Sequence, residues 1–418
     1  MTKNKNKKIH LSDLQGHADE LCADPRFRAA VRRHLTRADD GSELKLAIHP
    51  NDQMLTHSLH HLRSAGAALS QYYGVALQQQ RAAEQVIDLL VPDRTRIKVL
   101  DFACGYGRLL RFLSRSVAPA QIWASDIQHE AVDYVTEQFG VHGIYSTVEP
   151  AEFRPDMKFD LIWVASLFSH LPADLFEQWL ATLAGLLTPE GMLCFSVHDE
   201  ALLPPGRSMP AEGILFAGHS ENNALGRATY GTTHVTEAYV AGVVQRVLGP
   251  GHRHYRVKRG LAYQQDLYVV CRDARRDLGA LDSFRWGPWG WVDFRGQTDS
   301  GRLHLSGWAA SVDQGGMEGV AVDDGLAQTQ CPTVIDRPDV EKVYEDPRLR
   351  KVGWETVSTG RSDAGDTFLE VSAVAANGER ALLYAGPAVE PKLVWRWFGL
   401  ELVGHLLSDI LFRLRARF

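Results

Sequence analysis

The chain has 418 residues and a formal net charge of −6, with no long basic block inside its folded part, so nucleic acid is excluded as its main partner. That length is too great for a single core and implies two or three domains. The five cysteines are an odd number, scattered and without a Cys-x-x-Cys pair, which argues against a disulfide frame or zinc site and for a reducing, cytoplasmic setting.

Met1 to Lys8 is lysine-rich and polar, lacks the apolar stretch of a secretory signal, and reads as a solvated tail. From residue 9 to about 75 the pattern is helical and polar, with turn signals at Asp24-Pro25 and His49-Pro50-Asn51-Asp52. An amphipathic helix over Gln80 to Leu90 leads into an apolar run that ends at Asp101. Gly105 and Gly107 follow, and then a helix over Tyr106 to Val117. Strand, tight turn and helix in this order set a small polar ligand at the carboxyl edge of a sheet.

Gln121 to Ile127 reads as a second strand ending in an acid, Asp126, which lies 25 positions after Asp101. A spacing of about 20 is expected for a carboxylate that takes both ribose hydroxyls. Helices are expected over His129 to Phe139, Pro172 to Leu187 and Thr236 to Val247, the last capped by Thr236. Phe159 to Ser166 is a continuous apolar run, as in a strand buried on both faces, and Pro189 and Gly191 turn into a further strand. His254 to Arg259 and Asp266 to Arg272 close the sheet. Residues 201 to 235 interrupt the alternation and read as a long substrate loop.

Three tryptophans cluster at Trp286, Trp289 and Trp291, and short alternating runs follow them, the pattern of an antiparallel β-sandwich. Pro391 to Phe418 reads as one amphipathic helix: its apolar positions recur at helical spacing and it ends in Arg413, Arg415 and Arg417. Glu401, His405 and Asp409 rule out a membrane span, so the choice lies between a membrane interface, the protein's own surface and a second subunit in a homo-oligomer.

The glycine loop has Leu110 where a dinucleotide fingerprint wants a third glycine, and no Gly-Lys-Ser or Gly-Lys-Thr follows. With the acid-ended strands around it, residues 50 to 275 resemble class I S-adenosylmethionine-dependent methyltransferases. The resemblance implies a doubly wound, mostly parallel α/β sheet of seven strands. It implies that Asp101, Ala103, Cys104, Gly105, Gly107, Asp126, Ile127, Ala165 and Ser166 hold the cofactor S-adenosyl-L-methionine. The His-Pro-Asn-Asp-Gln-Met leader resembles a lid, bringing Asp52, Tyr72 and Tyr73 toward the pocket.

The expected organisation is a polar tail and lid over residues 1–78, the methyltransferase domain over 79–275, the sandwich over 284–390 and the terminal helix over 391–418. Methyl transfer to a hydroxyl needs alignment and a base. His198 is the first choice, with Asp199 as orienting partner, and His170 is the second. Tyr230, His234 and Tyr73 are the expected substrate residues, and no spacing suggests a dedicated metal site. The Ser306-Gly-Trp-Ala, Asp336-Arg-Pro-Asp-Val and Val352-Gly-Trp segments resemble a module appended to bacterial glycosyltransferases and methyltransferases of surface-glycan assembly. The implied acceptor is a surface glycan or its precursor, methylated on oxygen at the inner face of the cytoplasmic membrane. The alternatives are a soluble small metabolite as acceptor, or a catalytically silent cofactor-binding scaffold.

Overall fold

The structure is a computed structural model that describes residues 11–37, 41–204, 206–218, 226, 228–361 and 367–389. It opens with the helices α1 (Leu11–Ala23), α2 (Pro25–Arg33), α3 (Gln53–Leu62) and α4 (Ala65–Leu90). Both turn signals become helix caps. Asp24 accepts from the Arg26 backbone at 2.7 Å, and Asp52 accepts from the Met54 backbone at 2.9 Å.

The central part alternates strands and helices: β1 (Val99–Phe102), α5 (Leu110–Leu113), β2 (Ile122–Asp126), α6 (His129–Phe139), β3 (His142–Tyr145), β4 (Phe159–Val164), α7 (Ala173–Gly185) and β5 (Leu187–Asp199). It continues with β6 (Ile214–Ala217), β7 (Thr232–Val235), α8 (Glu237–Leu248), β8 (Arg253–Leu261) and β9 (Gln265–Cys271). Strands β3-β2-β1-β4-β5 are parallel, β9 lies antiparallel to β5, and β8 antiparallel to β9.

The sheet has nine strands, because residues 201 to 235 are not simply a loop. Within them β6 pairs with β7, and β7 extends the end of β5 through His198 opposite His234. This short hairpin buries Thr233, His234 and Val235 in succession. The expected helix over Tyr106 to Val117 is regular α-helix only at Leu110–Leu113. Helical bonds still flank it, from Arg111 N to Gly107 O at 3.2 Å and from Val117 N to Leu113 O at 2.9 Å.

The core of this part is aromatic: Phe102, Phe159, Phe168, Phe176, Trp179, Phe195 and Tyr268 belong to one buried cluster. Each fully buried large side chain contributes about 1.5–3 kcal/mol. That burial holds the sheet rigid, and the loops at its carboxyl edge inherit fixed positions.

The last part is antiparallel: β10 (Trp289–Gln297), β11 (Arg302–Ala310), β12 (Met317–Asp323), β13 (Gln328–Cys331), α9 (Pro338–Tyr344), β14 (Gly353–Arg361), β15 (Phe368–Ala375) and β16 (Arg380–Pro387). One sheet runs β10-β11-β14 and the other β13-β12-β15-β16. Leu303, Leu305 and Trp354 of the first share one buried cluster with Val320, Leu369, Val371 and Tyr384 of the second. Trp289, Trp308 and Trp354 are at most 5 % exposed, so they are core rather than a platform for a ligand.

Among the described residues, those up to Val75 form one compact unit with those from Arg285 onward, and Ala76–Phe284 form the other. The N-terminal segment is therefore tied to the antiparallel sheets. His34 meets the Ser372 hydroxyl at 2.8 Å, Arg33 pairs with Glu370, and Ser70 accepts from the Ala385 backbone at 2.8 Å. Tyr72 donates to Asp52 at 2.7 Å, Tyr73 donates to the Leu46 carbonyl, and both rings are buried in this unit. The sequence helix over Pro391 to Phe418 lies outside the described residues. Among the described residues no helix is long and apolar enough to cross a membrane.

Candidate active site

The parallel strands β2, β1 and β4 stand side by side, so their carboxyl ends bring Asp126, the loop from Ala103 to Gly107, and Ala165-Ser166 to one edge. The loop is folded tightly. Ala103, Gly105 and Gly107 all have positive φ, at 59°, 52° and 76°, and Ser166 at the end of β4 has φ 68°. Non-glycine residues held in this region are strained, and such strain gathers at functional sites.

The two glycines differ in what they permit. A Cβ on Gly107 would lie 2.6 Å from Phe139 Cε2 and 2.9 Å from Val135 Cγ1, while one on Gly105 meets nothing within 4 Å. Gly107 packs the loop against α6, and Gly105 leaves open space beside it. Gly107→Ala is therefore expected to destabilise the protein by about 1–3 kcal/mol in chemical denaturation. Gly105→Ala should cost only the backbone term, about 1 kcal/mol. Equal shifts for the two variants would refute the packing role of Gly107.

Asp126 anchors this loop. Its Oδ2 accepts from Gly105 N at 2.9 Å and its Oδ1 accepts from Gln128 N at 2.9 Å. Burial raises its pKa, and these backbone N–H groups oppose the rise. Each carboxylate oxygen keeps a further lone pair for a hydroxyl donor.

Asp101, in β1, is 3 % exposed, and no donor among the described residues reaches its carboxyl group. Burial, and then the charge of Asp126, push its pKa up to about 8. An acid so placed is relieved by an incoming cation or a hydrogen-bond donor. The same burial and carboxylates push the Cys104 thiol well above its usual range, so it is a neutral thiol and no nucleophile. Open space at Gly105, lone pairs on Asp126 and an unmet acid at Asp101 fit a ligand carrying ribose hydroxyls and an ammonium group.

Beyond β4 the structure gathers the histidines. His170 stacks on Tyr230 with ring centres 4.7 Å apart and planes at 12°. The His198 ring lies 6.3 Å from His170 and 5.4 Å from His234. Four of the expected catalytic and substrate residues, His170, His198, Tyr230 and His234, thus meet. Asp199 does not orient His198. Its carboxylate pairs with Arg256 at 2.7 Å, and Arg256 is shared with Asp266.

The group on His198 is instead Gln265, whose Nε2 lies 3.2 Å from His198 Nε2. Gln265 Oε1 accepts from the Ser196 hydroxyl at 2.6 Å and the Ser166 hydroxyl at 3.2 Å. Sequence reasoning missed Gln265, Ser196 and Ser169. Gln265 lies 67 positions from His198, and only the antiparallel return of β9 along β5 brings them together. Among the described residues no group of three or more histidines, cysteines and acids is placed to hold a metal ion.

Residues 99–191 match the methyltransferase domain family model. The chain is 30% identical over 153 residues to a malonyl-[acyl-carrier protein] O-methyltransferase of Porphyromonas gingivalis, covering 36% of this chain and 58% of that protein. It is 27% identical over 134 residues to the enzyme of the same name from Acetivibrio thermocellus, covering 30% of this chain and 44% of that one. The chain therefore spans less than two thirds of the curated relatives it matches. Among solved structures, a TehB-like SAM-dependent methyltransferase from Corynebacterium glutamicum aligns with a TM-score of 0.31 and 19% identity, over 46% of this chain and 86% of that one. The acid-ended strands and the glycine loop between them all lie within residues 99–191, the stretch that matches the methyltransferase domain family.

Proposed function

We propose that this chain transfers a methyl group from S-adenosylmethionine to an acceptor oxygen. The observation that carries the reading is Asp101, buried and reached by no donor among the described residues, beside a glycine loop tethered to Asp126. Asp101 would meet the ammonium group of the cofactor, Asp126 the ribose hydroxyls, and Ala103 to Gly107, Ile127, Ala165 and Ser166 would line its remaining sides. Bound there, the cofactor supplies an electrophilic methyl group on a positively charged sulfur.

The protein's own contribution is to hold the acceptor in line and to take its proton. A sugar hydroxyl has a very high pKa, so a base assists as its proton leaves. His198, His170, Tyr230 and His234 are the side chains proposed for that end of the site. The curated relatives are named O-methyltransferases, which supports oxygen as the acceptor atom.

The finer reading is a bacterial surface glycan or its precursor. Its support is the resemblance of Ser306-Gly-Trp-Ala, Asp336-Arg-Pro-Asp-Val and Val352-Gly-Trp to modules of surface-glycan enzymes. Incubating the enzyme with methyl-labelled cofactor and sugar nucleotides, envelope glycolipids or small phenols separates the readings. Label in the glycolipid or sugar fraction supports the glycan. Label confined to small phenols moves the acceptor to a soluble metabolite, and tight cofactor binding with no labelled product at all favours a silent scaffold.

The arginine-ended sequence over Pro391 to Phe418 is proposed as a peripheral membrane contact. A chain truncated before Pro391 should lose sedimentation with anionic vesicles, and equal sedimentation of both forms removes this contact.

A further inference from the structure

The ladder between β5 and β9 stops one residue short of the histidine end. Its last pair is Val197 opposite Asp266, and His198 and Gln265 come next. From His198 the β5 backbone pairs with β7, His198 opposite His234 and Asp199 opposite Val235. Backbone pairing therefore sets where β7 lies against β5 at this point. It does not set how closely the start of β9 approaches. The turn that leads into β9 is strained as well: Arg259, Ala262 and Tyr263 have φ of 53°, 51° and 59°.

One side chain spans these segments. The Arg256 guanidinium, on β8, meets Asp199 Oδ2 at 2.7 Å, Asp266 Oδ2 at 2.7 Å and the Glu237 carboxylate. Each partner is close in the chain to a residue of the histidine end. Asp199 follows His198, Asp266 follows Gln265, and Glu237 comes three residues after His234. Two of the carboxylates are used twice. Asp199 Oδ1 accepts from the Ala201 backbone at 3.1 Å, and Asp266 Oδ1 accepts from the Arg259 backbone at 2.7 Å. Through Asp266 the guanidinium thus also holds the first strained residue of the turn.

Exposure ranks the three pairs. The side chains of Asp266 and Asp199 are 2 % and 12 % exposed, and that of Glu237 is 60 % exposed. An exposed ion pair contributes little. A planar guanidinium between two sheltered carboxylates fixes direction as well as distance.

We propose that Arg256 is a positioning residue for methyl transfer: by gripping Asp199 and Asp266 it sets the spacing of the strand ends that carry His198 and Gln265. This rests on the methyltransferase reading above. Arg256 acts only through its neighbours. With it in place, Gln265 stands 3.2 Å from His198, and the His198 ring stands 5.4 Å from that of His234. Displacement of about 1 Å at such a site is enough to lower a rate severely, because the acceptor must lie in line with the methyl group.

The test is Arg256→Lys in the full chain. Lysine keeps a cation beside the buried Asp266 but lacks the planar fork that holds both carboxylates. Three readings are taken on the folded variant. Affinity for S-adenosylmethionine by calorimetry should stay within about threefold, since the cofactor end does not touch this clamp. Label uptake by envelope extract should fall about tenfold or more. In proton–nitrogen spectra of 15N-histidine-labelled protein, assigned with His198→Gln and His234→Gln, the His198 ring signals should move. Those of His142, on β3 at the opposite edge of the sheet, should stay in place.

Unmoved His198 signals overturn the proposal, and so does movement of His142 together with His198, which is general loosening. Moved His198 signals with undiminished uptake overturn the role in methyl transfer. Should Arg256→Lys not fold, Asp199→Asn reads the same signals, because its single amide oxygen serves Arg256 or the Ala201 backbone and not both. No uptake by the wild type counts against the methyltransferase reading, and the ring signals then decide the clamp by themselves.

Discussion

Asp126→Ala lowers affinity for S-adenosylmethionine by about 100- to 1,000-fold. The carboxylate holds two backbone N–H groups at 2.9 Å, one on each oxygen, and those bonds shape the loop that Gly105 opens. A hydrogen bond to a charged group contributes about 1.5–3 kcal/mol, and 1.4 kcal/mol is a tenfold change. Removing the carboxylate loosens the loop and deletes the proposed ribose acceptor together.

Asp126→Asn sharpens the test, because one of its two terminal atoms becomes a donor facing a backbone N–H. Its affinity should also fall, by at least about tenfold. Titration calorimetry with the cofactor measures both, and thermal melts show that the sheet persists. Affinity within threefold of the wild type for Asp126→Ala would falsify the cofactor assignment.

Asp101→Asn stabilises the ligand-free protein at alkaline pH, and by several kcal/mol. An aspartate carboxyl group ordinarily titrates near 3.8, and burial and the Asp126 charge push this one to about 8 in the fold. The folded state therefore binds this proton more tightly than the unfolded state. Below about pH 4 both states are protonated and the residue costs nothing. The cost grows as pH rises from about 4 to about 8, by about 1.4 kcal/mol for each pH unit crossed, and is constant above. Asparagine lacks the ionisation, so the two melting temperatures should converge near pH 4 and differ by about 5 °C or more at about pH 8.5. Parallel Tm curves across that range would refute the buried acid.

The same acid makes cofactor binding pH-dependent. A cationic ligand needs the carboxylate, so its affinity should weaken as pH falls below about 8, with proton release on binding. Calorimetry in two buffers of different ionisation enthalpy reads the proton directly. Asp126 and Cys104 are the titratable neighbours, and the Cys104 thiol stays neutral in this range. Asp101→Asn should bind more weakly at pH 8 and show no such dependence. Stability lost at Asp101 in the free protein is what an incoming cation restores.

The proposed cofactor end of the site was legible in the linear sequence as a strand-loop-helix unit because each part of it is local. Asp101, Gly105 and Gly107 lie within seven consecutive residues whose strand, turn and helix form from neighbouring backbone bonds. Asp126 ends the next strand, and parallel pairing puts its end beside the first. The histidine end was legible only as a set of residue types. His170, His198 and Tyr230 were found, but the partner of His198 was misread as Asp199, its chain neighbour. In the fold Asp199 is captured by Arg256 from β8, and Gln265 arrives from β9.

The N-terminal segment shows the same division. Its polar, helical pattern was legible, and the turn signals at Asp24 and Asp52 stand where two of the helices begin. They did not announce what the helices pack against. Glu370 and Ser372 on β15 supply the polar partners for Arg33 and His34, more than 300 residues later in the chain.

By itself, then, the sequence determined the strand-loop-helix cradle, the two acids that frame it, and the alternation that makes the central sheet parallel. Those depend on backbone periodicity and hydrogen bonds closed within a few residues. Only the tertiary structure decided which residues meet His198, that residues 201 to 235 add a hairpin to the sheet, and which sheets the first helices cover. Those depend on which distant polar group arrives to satisfy a buried donor or acceptor, and that is settled by the burial of the whole chain rather than by any segment of it.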